Sequence, residues 1–261
     1  MSNRFTSLFP RPKPVVAVLH TGPTPGVTPM GSARCAADRA SAEARLLVEL
    51  GVDGFLIENA HDAPALREED MGPEVAAYMT RVALAVKRRA GRLPVGIRVM
   101  HGASQTSLAV AQAANCEFVR VDGWEDDESA AARFHRYRHS MDADGIPVLA
   151  GLRPDEPEDL HRLLPALQNA RPDAIAILGP QYGSTPDVET VVQACELASV
   201  PLFVGGGLGA DNFDTFVDHA DGFLVGSGLK EGHTWRAPVS EPHVRSLVGA
   251  VEYARGQEVR S

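Results

Sequence analysis

The sequence predicts an α/β protein with one domain over residues 1–261, a (β/α)₈ TIM barrel, on three observations. Short runs of apolar and β-branched residues alternate eight times with longer segments of helical periodicity. The chain has 261 residues, which is a common length for one such barrel. The last two predicted strands both end in glycine-rich loops. Together these observations favour a closed parallel sheet surrounded by helices.

Each predicted strand is an apolar run bounded by proline, glycine or polar residues. The strands are residues 15–20, 54–59, 95–100, 118–123, 148–153, 174–179, 202–207 and 222–227. Strict alternation with helices predicts parallel strands joined by crossovers of one hand. An open doubly wound sheet is the alternative, but it seldom needs eight equivalent units and no G-x-G-x-x-G follows the first strand.

Glycine, proline and acidic residues mark the predicted helices. The first helix covers residues 32–50 and ends at Gly51, and Pro73 takes the first helical position before the run 75–89. Acidic residues 125–128 begin the fourth helix, as the helix dipole favours. The other predicted helices are residues 104–115, 157–169, 187–198 and 241–256, with a short helix opening at Asp211. Residues 21–31 and the stretch from 60 to 70 are predicted loops.

Composition excludes several classes of protein. The formal net charge is −9 and basic residues are scattered among acids, which argues against a nucleic-acid surface. No run of about 18 apolar residues occurs and the first residues lack the apolar centre of a secretory leader, so we expect no membrane insertion and a cytoplasmic protein. Cys35, Cys116 and Cys195 lie far apart, which favours free thiols over a disulfide framework or a zinc cluster.

The two glycine-rich strand ends predict an anion site. Gly206, Gly207, Gly226 and Ser227 carry little or no side chain, so a phosphate can approach their main-chain N–H groups. A helix that follows would add its positive end. The loops after strands seven and eight commonly build the phosphate site of this fold. Lys230 lies just beyond and suits a charge contact with the phosphate, with a solvated loop lysine as the alternative.

Two carboxylates are the leading candidates for chemistry, because reactions in this fold occur at the carboxyl ends of the strands. Glu58 ends strand two and suits a general base or a ligand of a divalent metal such as Mg²⁺. Its alternative is a salt bridge to Arg98 or Arg120. Asp122 on strand four suits a second carboxylate of an acid and base pair, or a second metal ligand. Its alternative is a cap on the turn that follows it.

Further polar residues close other strands. His20 is a third catalytic candidate, and Asn59, His101, Arg153 and Gln181 complete the rim of the predicted pocket. Several polar residues from separate strands, converging above one phosphate site, favour a ligand pocket. No H-x-H or H-E-x-x-H pattern occurs, so a dedicated zinc site is not expected, and no organic cofactor is evident.

The scarcity of lysine excludes one reaction class. Lys13, Lys87 and Lys230 are the only lysines and none lies within a predicted strand, which argues against a Schiff-base aldolase. Neither a G-x-S-x-G elbow nor a cysteine at a strand end offers a nucleophile. Proton transfer or metal-assisted chemistry remains, so an enzyme of this sequence would be a lyase, isomerase or hydrolase acting on a phosphorylated metabolite.

Four segments together resemble a known family of barrel proteins. They are KPVVAVLHTGPTPG at residues 13–26, GVDGFLIENAHDAP at 51–64, VGGGLGADN at 204–212 and ADGFLVGSGLKEG at 220–232. In order and spacing they resemble the BtpA/SgcQ family, and the resemblance covers nearly the whole chain. It implies a phosphate-binding TIM barrel that forms homo-oligomers and binds a phosphorylated small molecule, such as a sugar phosphate or a nucleotide. The founding member is associated with photosystem I biogenesis.

The middle strands depart from the family pattern. Members tend to carry an Arg-Asn-Asp-like segment after strand three, an Asn at the end of strand four, and an Asp, His and Lys-His set on strand five. Here those places read MHGASQ at residues 100–105, VDGW at 121–124 and AGLRPDE at 150–156. Only Arg153 keeps strand five polar. The departures leave open a second hypothesis, a non-catalytic assembly or biogenesis factor for a membrane or multiprotein complex.

Overall fold

The structure is a computed structural model that describes residues 3–25, 27, 32–62 and 66–258. Eight parallel strands close into a barrel in sequence order, which confirms the predicted fold class. The strands are β1 (Val15–His20), β2 (Gly54–Glu58), β3 (Val95–Arg98), β4 (Phe118–Asp122), β5 (Val148–Leu152), β6 (Ala174–Leu178), β7 (Leu202–Gly205) and β8 (Gly222–Val225). Most are one or two residues shorter than predicted, because their last residues, five of them glycine, leave the ladder and enter the loops. Parts of the predicted loops 21–31 and 60–70 lie outside the described residues.

Seven α-helices cover the outside of the barrel within the described residues. They are α1 (Ala33–Glu49), α2 (Pro73–Ala90), α3 (Ser104–Ala113), α4 (Glu128–Ser140), α5 (Leu160–Asn169), α6 (Val188–Leu197) and α7 (Glu241–Glu258). Asp127 caps α4 by accepting hydrogen bonds from the N–H groups of Ser129 and Ala130, at 2.9 and 3.2 Å. No helix among the described residues is long and apolar enough to cross a bilayer.

The predicted helix at Asp211 is wrong. Two short 3₁₀ segments, Phe213–Thr215 and Val217–His219, connect β7 to β8 instead. The 3₁₀ turns still bury Phe213 and Phe216, so the apolar period that suggested a helix is satisfied.

A repeated set of hydrogen bonds links the feet of the strands. An acidic residue precedes each even-numbered strand, and its carboxylate accepts from the first N–H of the preceding odd-numbered strand at 2.7–2.9 Å. The acids are Asp53, Glu117, Asp173 and Asp221, and the donors are Val15, Val95, Val148 and Leu202. The backbone N–H of each acid donates back to the carbonyl of the same donor residue. Adjacent strands are thus joined in pairs at the foot.

Prolines complete the connection between these pairs. A proline precedes each odd-numbered strand, and its carbonyl accepts from the second residue of an even-numbered neighbour at 2.8–3.1 Å. The prolines are Pro14, Pro94, Pro147 and Pro201. A proline has no N–H of its own, so its place just before the strand wastes no donor in the ladder. The foot of the barrel is therefore closed by the same bonds four times around.

Aromatic side chains fill the barrel interior above this foot. The Phe5 ring lies 5.2 Å from Phe118 and 5.1 Å from Phe203, both edge to face, and all three are fully buried. Gly96 and Gly222 make room for the rings of Phe118 and Phe203, because a Cβ at either glycine would overlap the ring. The lower barrel is thus a packed apolar core, and polar chemistry is confined to the opposite end.

Candidate functional site

A cavity of about 270 Å³ opens at the carboxyl ends of the strands. Of the sequence-predicted site residues, the cavity is lined by His20, Glu58, His101, Arg153, Gly206, Gly207, Gly226 and Ser227. Asn59, Asp122, Gln181 and Lys230 lie outside its lining. The lining also includes residues that were not among the predicted site residues: Asp62, Arg98, Arg120, Tyr182 and Trp235. The convergence expected from parallel strand ends thus brings eight of the twelve predicted residues together.

One wall of the cavity is glycine-rich backbone. Gly206 and Gly207 have φ of 88° and 59°, a conformation that a side chain would strain. The loop between β6 and α6 packs so closely that a Cβ at Gly207 would lie 2.5 Å from Thr185 Oγ1 and 2.7 Å from Thr185 N. The N–H groups of Gly207 and Ser227 donate no hydrogen bond to any acceptor within the described part of the chain. This wall therefore offers main-chain donors to a ligand in the cavity.

The expected contribution of a helix end to this wall is small. Directly after β8 the chain forms a three-residue 3₁₀ turn, Ser227–Leu229, and no α-helix lies between β7 and β8. A single turn aligns too few peptide dipoles to present the partial positive charge of an α-helix terminus. Any attraction for an anion here comes from individual N–H groups and from nearby cationic side chains.

The floor of the cavity is a ring of alternating charges. Glu58 accepts from Arg98 Nη1 at 3.1 Å and from Arg120 Nη1 at 2.9 Å. Asp122 accepts from Arg98 Nε at 2.5 Å and from Arg120 Nη2 at 2.9 Å. Gly151 on β5 leaves the space for this arrangement, since a Cβ there would overlap the Asp122 carboxylate. Two carboxylates and two guanidinium groups thus balance one another, and Glu58 makes both ion pairs that the sequence offered as its alternative.

The ring keeps both carboxylates ionised. Burial alone would raise the pKa of Glu58, but the charges of Arg98 and Arg120 outweigh burial and lower it. Burial alone would likewise raise the pKa of Asp122, but the charges of Arg120 and Arg98 outweigh burial and lower it. Burial would lower the pKa of Arg98, yet Asp122 and Glu58 raise it. A carboxylate with a lowered pKa that already accepts two charged hydrogen bonds is a weak proton acceptor at neutral pH.

Arg153 projects into the cavity from the end of β5 without a carboxylate partner among the described residues. Its Nη1 donates to the carbonyl of Gly179 at 2.6 Å, and its guanidinium lies 4.4 Å from the centre of the Tyr182 ring. Tyr182 Oη is 3.0 Å from His101 Nδ1. Burial lowers the pKa of Arg153, with the charge of Arg120 adding to that shift. An arginine remains protonated at neutral pH, so Arg153 supplies the cavity with a positive charge that no carboxylate of the described residues pairs directly.

His20 lies at the boundary of the cavity, beside Trp235. The two ring centres are 5.8 Å apart, and His20 Nδ1 is buried without a hydrogen-bond partner in the described chain. A Cβ at Gly226 would lie 2.9 Å from His20 Cε1, so glycine is needed for this ring position. Burial lowers the pKa of His20 to about 4, Glu58 opposes the shift and Lys230 adds to it. The imidazole is therefore neutral at pH 7.

The predicted residues outside the lining have other contacts. Asn59 is buried, donates to Asp62 Oδ2 at 2.9 Å and accepts from the N–H of Met100 at 2.8 Å, so it fixes two loops. The exposed Gln181 makes its contacts through its backbone, with Ser184. Lys230 is 3 % exposed and its Nζ lies 3.6 Å from Glu43 Oε2 of α1. Lys230 thus faces away from the cavity that holds the glycine wall.

The described residues contain no group of three or more His, Cys, Asp or Glu side chains arranged to hold a metal ion. Glu58 and Asp122, the carboxylates proposed as metal ligands, each accept from both Arg98 and Arg120. A cation between them would have to displace these guanidinium groups.

Sequence reasoning missed Trp235, and it placed Tyr182 beside Gln181 at a strand end without including it in the predicted site. Both lie in loops, after β8 and β6, whose paths no strand or helix period determines. Trp235 had one available signal, since the chain contains only two tryptophans and an aromatic residue in a loop near a predicted pocket is a candidate contact.

Known proteins resemble this chain in sequence over most of its length. A sequence model described as the BtpA family matches residues 11–253. An uncharacterized protein of Pyrococcus abyssi is 29 % identical over 258 residues, covering 94 % of this chain and 98 % of that protein. The photosystem I biogenesis protein BtpA of Synechocystis is 29 % identical over 261 residues, covering 93 % and 89 %. An uncharacterized mitochondrial protein of Caenorhabditis elegans is 27 % identical over 245 residues, covering 85 % and 87 %.

Solved structures share the fold. The α subunit of tryptophan synthase from Legionella pneumophila superposes with a TM-score of 0.64 at 12 % identity, covering 97 % of this chain and 100 % of that one. Thiamine phosphate pyrophosphorylase from Pyrococcus furiosus gives 0.58 at 14 % identity, covering 93 % and 96 %. At such identities the likeness concerns the barrel and not its chemistry.

Proposed function

The chain belongs to the BtpA family, and from that premise we propose that it binds a phosphorylated small molecule in the mouth of its barrel. The phosphate would occupy the wall formed by Gly206, Gly207, Gly226 and Ser227. The observation that carries the proposal is the pair of N–H groups, of Gly207 and Ser227, that lack acceptors among the described residues and belong to the lining of one cavity.

Arg153 supports the proposal by supplying charge. Its Nη1 donates to the carbonyl of Gly179, and a Cβ at Gly206 would lie 3.6 Å from Gly179 N. Arg153 and the glycine wall are thus neighbours through Gly179. The remaining guanidinium N–H groups of Arg153 form a fork that matches phosphate geometry. We assign Arg153 the charge contact that the sequence suggested for Lys230.

The dimensions of the cavity limit the ligand. Its volume of about 270 Å³ lies near the lower end of the range for small-molecule sites, roughly 300–1,000 Å³. A single metabolite fits this range, whereas a polymer does not. The polar floor and the aromatic rings of Tyr182 and Trp235 suit a ligand with hydroxyl groups or a small ring beside its phosphate.

The assignment of catalytic roles follows from protonation. Glu58 and Asp122 hold Arg98 and Arg120 in place, which makes them positioning residues in our proposal. His20 is neutral at pH 7 and lies outside this ring of ion pairs, but with a pKa of about 4 it is a weak base, so a base role requires the negative charge of a bound phosphate to raise that pKa toward neutrality. A lyase, isomerase or hydrolase reaction would use His20 in this role.

A second candidate function is a non-catalytic assembly role, in which the ligand regulates or stabilises the barrel. The observation that favours it is the neutralisation of both predicted catalytic carboxylates by arginines. One relative is named a photosystem I biogenesis protein. Binding of a phosphorylated metabolite without any turnover, measured by ³¹P NMR over hours, would favour this candidate over an enzyme.

A thermal-shift titration tests the binding proposal. Inorganic phosphate and a panel of sugar phosphates and nucleotides are added with and without Mg²⁺. A ligand at 100 times its Kd adds about 2.7 kcal/mol of stability, which raises the Tm of a domain of this size by roughly 5–10 °C. Ser227→Asp places a negative charge at the wall without needing an unusual backbone conformation, and we expect it to abolish the shift.

Ser246→Asp is the matched control, because it makes the same change on the exposed face of α7. We expect Ser246→Asp to respond to the ligand as the unmodified protein does. The proposal fails if no phosphorylated compound raises the Tm, or if Ser227→Asp keeps the full shift.

A further inference from the structure

A second cavity of about 430 Å³ adjoins the first. It lies between α1 and the segment of residues 230–239 that follows β8, and it shares His20 and Trp235 with the first cavity. The N–H of Lys230 donates to the carbonyl of Ser227 at 3.0 Å, so one short turn separates the two cavities. Ser227 belongs to the first cavity and Lys230 to the second.

Positive charge dominates the second cavity. The side chains of Arg39, Lys230 and Arg236 line it, and Glu43 is the one acidic residue in its lining. Arg39 makes no hydrogen bond or ion pair to the described residues, and Arg236 contacts the Trp235 ring, whose centre lies 4.6 Å from Arg236 Cζ. Three cations and one carboxylate leave an excess of two positive charges.

The pKa values of both histidines in the lining are lowered, which disfavours further positive charge there. His20 is neutral at pH 7, as described above. Burial lowers the pKa of His61, and the charges of Arg39, Arg236 and Lys230 add to the shift. His61 Nδ1 contacts the carbonyl of Thr21, and its ring centre lies 4.6 Å from that of Trp235. All three cations are thus close enough to act on one imidazole.

Lys230 is the buried cation of this cavity. Only 3 % of the residue is exposed, yet its nearest carboxylate oxygen, Glu43 Oε2, is 3.6 Å away. An ammonium has three donors, and a buried charge is costly unless it is paired and hydrogen-bonded. Burial lowers the pKa of Lys230, while Glu43 opposes the shift. A second anion beside Lys230 would complete the coordination that Glu43 provides only in part.

We propose that this second cavity is an anion-binding site that takes a phosphate or carboxylate group of a small molecule through Lys230, Arg39 and Arg236. The site is distinct from the glycine wall, and its existence does not rest on the function proposed above. The shared boundary of His20 and Trp235 makes the two sites adjacent, so one ligand with two anionic groups can engage both.

Titration calorimetry with inorganic phosphate and, separately, with malonate tests this site and distinguishes the two anionic groups. Trp235 fluorescence gives a second readout, since Trp124, the other tryptophan, is buried in the core. We expect Lys230→Met to weaken the binding of one of these anions at least about tenfold, which is the effect of losing a charged hydrogen bond. Arg39 is an exposed residue of α1, so its replacement should not disturb folding. We expect Arg39→Met to weaken the binding of the same anion.

Arg45→Met is the matched control, because Arg45 is exposed on α1 outside the cavity. It should bind both anions as the unmodified protein does. Unchanged affinity for phosphate and malonate in both Lys230→Met and Arg39→Met would overturn the second site.

The two proposals fail separately. Phosphate binding that Ser227→Asp abolishes, with the affinities for phosphate and malonate unchanged in both Lys230→Met and Arg39→Met, would support the glycine wall and refute the second site. Binding that Lys230→Met abolishes and Ser227→Asp leaves intact would support the second site and refute the glycine wall. Absence of any anion binding would refute both.

Discussion

His20 makes the free energy of unfolding increase with pH, whereas a salt-bridged histidine makes it decrease. The pKa of His20 is lowered to about 4 in the fold, whereas an unfolded histidine titrates near 6.5. Between these values the unfolded chain binds a proton that the native imidazole refuses. Stability therefore rises with pH here, is complete above about pH 6.5 and is lost as the pH falls toward 4.

The size of the effect follows from the two pKa values. Between about pH 7.5 and about pH 5, preferential protonation of the unfolded chain at this one site costs the fold about 2 kcal/mol. Replacing His20 with glutamine, which does not titrate, removes this contribution to the unfolding free energy. The difference in unfolding free energy between the unmodified protein and His20→Gln should thus change by about 2 kcal/mol between these pH values, to the advantage of His20→Gln at the lower pH.

Urea denaturation followed by circular dichroism at several pH values measures this difference, and the contributions of other titrating groups cancel between the two proteins. His139→Gln is the control, because His139 is exposed and the hydrogen bond that its ring donates to the Asp144 carboxylate raises its pKa. Its contribution has the opposite sign, present at low pH and lost as the pH rises through its folded pKa. Parallel pH profiles for His20→Gln and the unmodified protein would refute the buried, neutral state of His20.

Two further predictions concern stability, each measured by urea denaturation at neutral pH. Arg120→Met leaves Glu58 and Asp122 to share Arg98, and should cost about 3–5 kcal/mol because a buried negative charge remains unpaired. Adding Glu58→Gln restores charge balance and should recover part of that loss, whereas equal stability of Arg120→Met and the unmodified protein would contradict the ring. Phe203→Ala empties a fully buried position against Phe5 and should cost about 3–5 kcal/mol, and a loss below about 1 kcal/mol would mean that the aromatic core is loosely packed.

The strands could be predicted because their signal is local. Each is an apolar run with proline or an acid just before it and a polar residue or glycine after it. In place of the short helix predicted at Asp211 the chain forms two 3₁₀ segments, and the buried Phe213 and Phe216 are compatible with an α-helix and with consecutive 3₁₀ turns alike.

Some of the cavity residues could be predicted from the sequence and others could not. His20, Glu58 and Arg153 could be predicted because the ends of parallel strands meet at one edge of the barrel. A salt bridge from Glu58 to Arg98 or Arg120 was an alternative that the sequence offered, but the closed ring with Asp122 depends on side chains that meet across three strands, which spacing along one strand does not report. Lys230 was assigned to the wrong side of its turn, since a 3₁₀ segment rotates the chain by about 120° per residue.

The fourfold bonding at the foot of the barrel separates the work of closing the sheet from the work of binding. Each pair of strands is held below by the same acid and proline, and none of these bonds involves a side chain of the cavity. Asp173 and Pro147 therefore fix the lower end of β5 without any contribution from Leu152 and Arg153 at its upper end. A substitution at the cavity end of a strand leaves these bonds in place, so closure of the sheet does not depend on which side chains line the cavity.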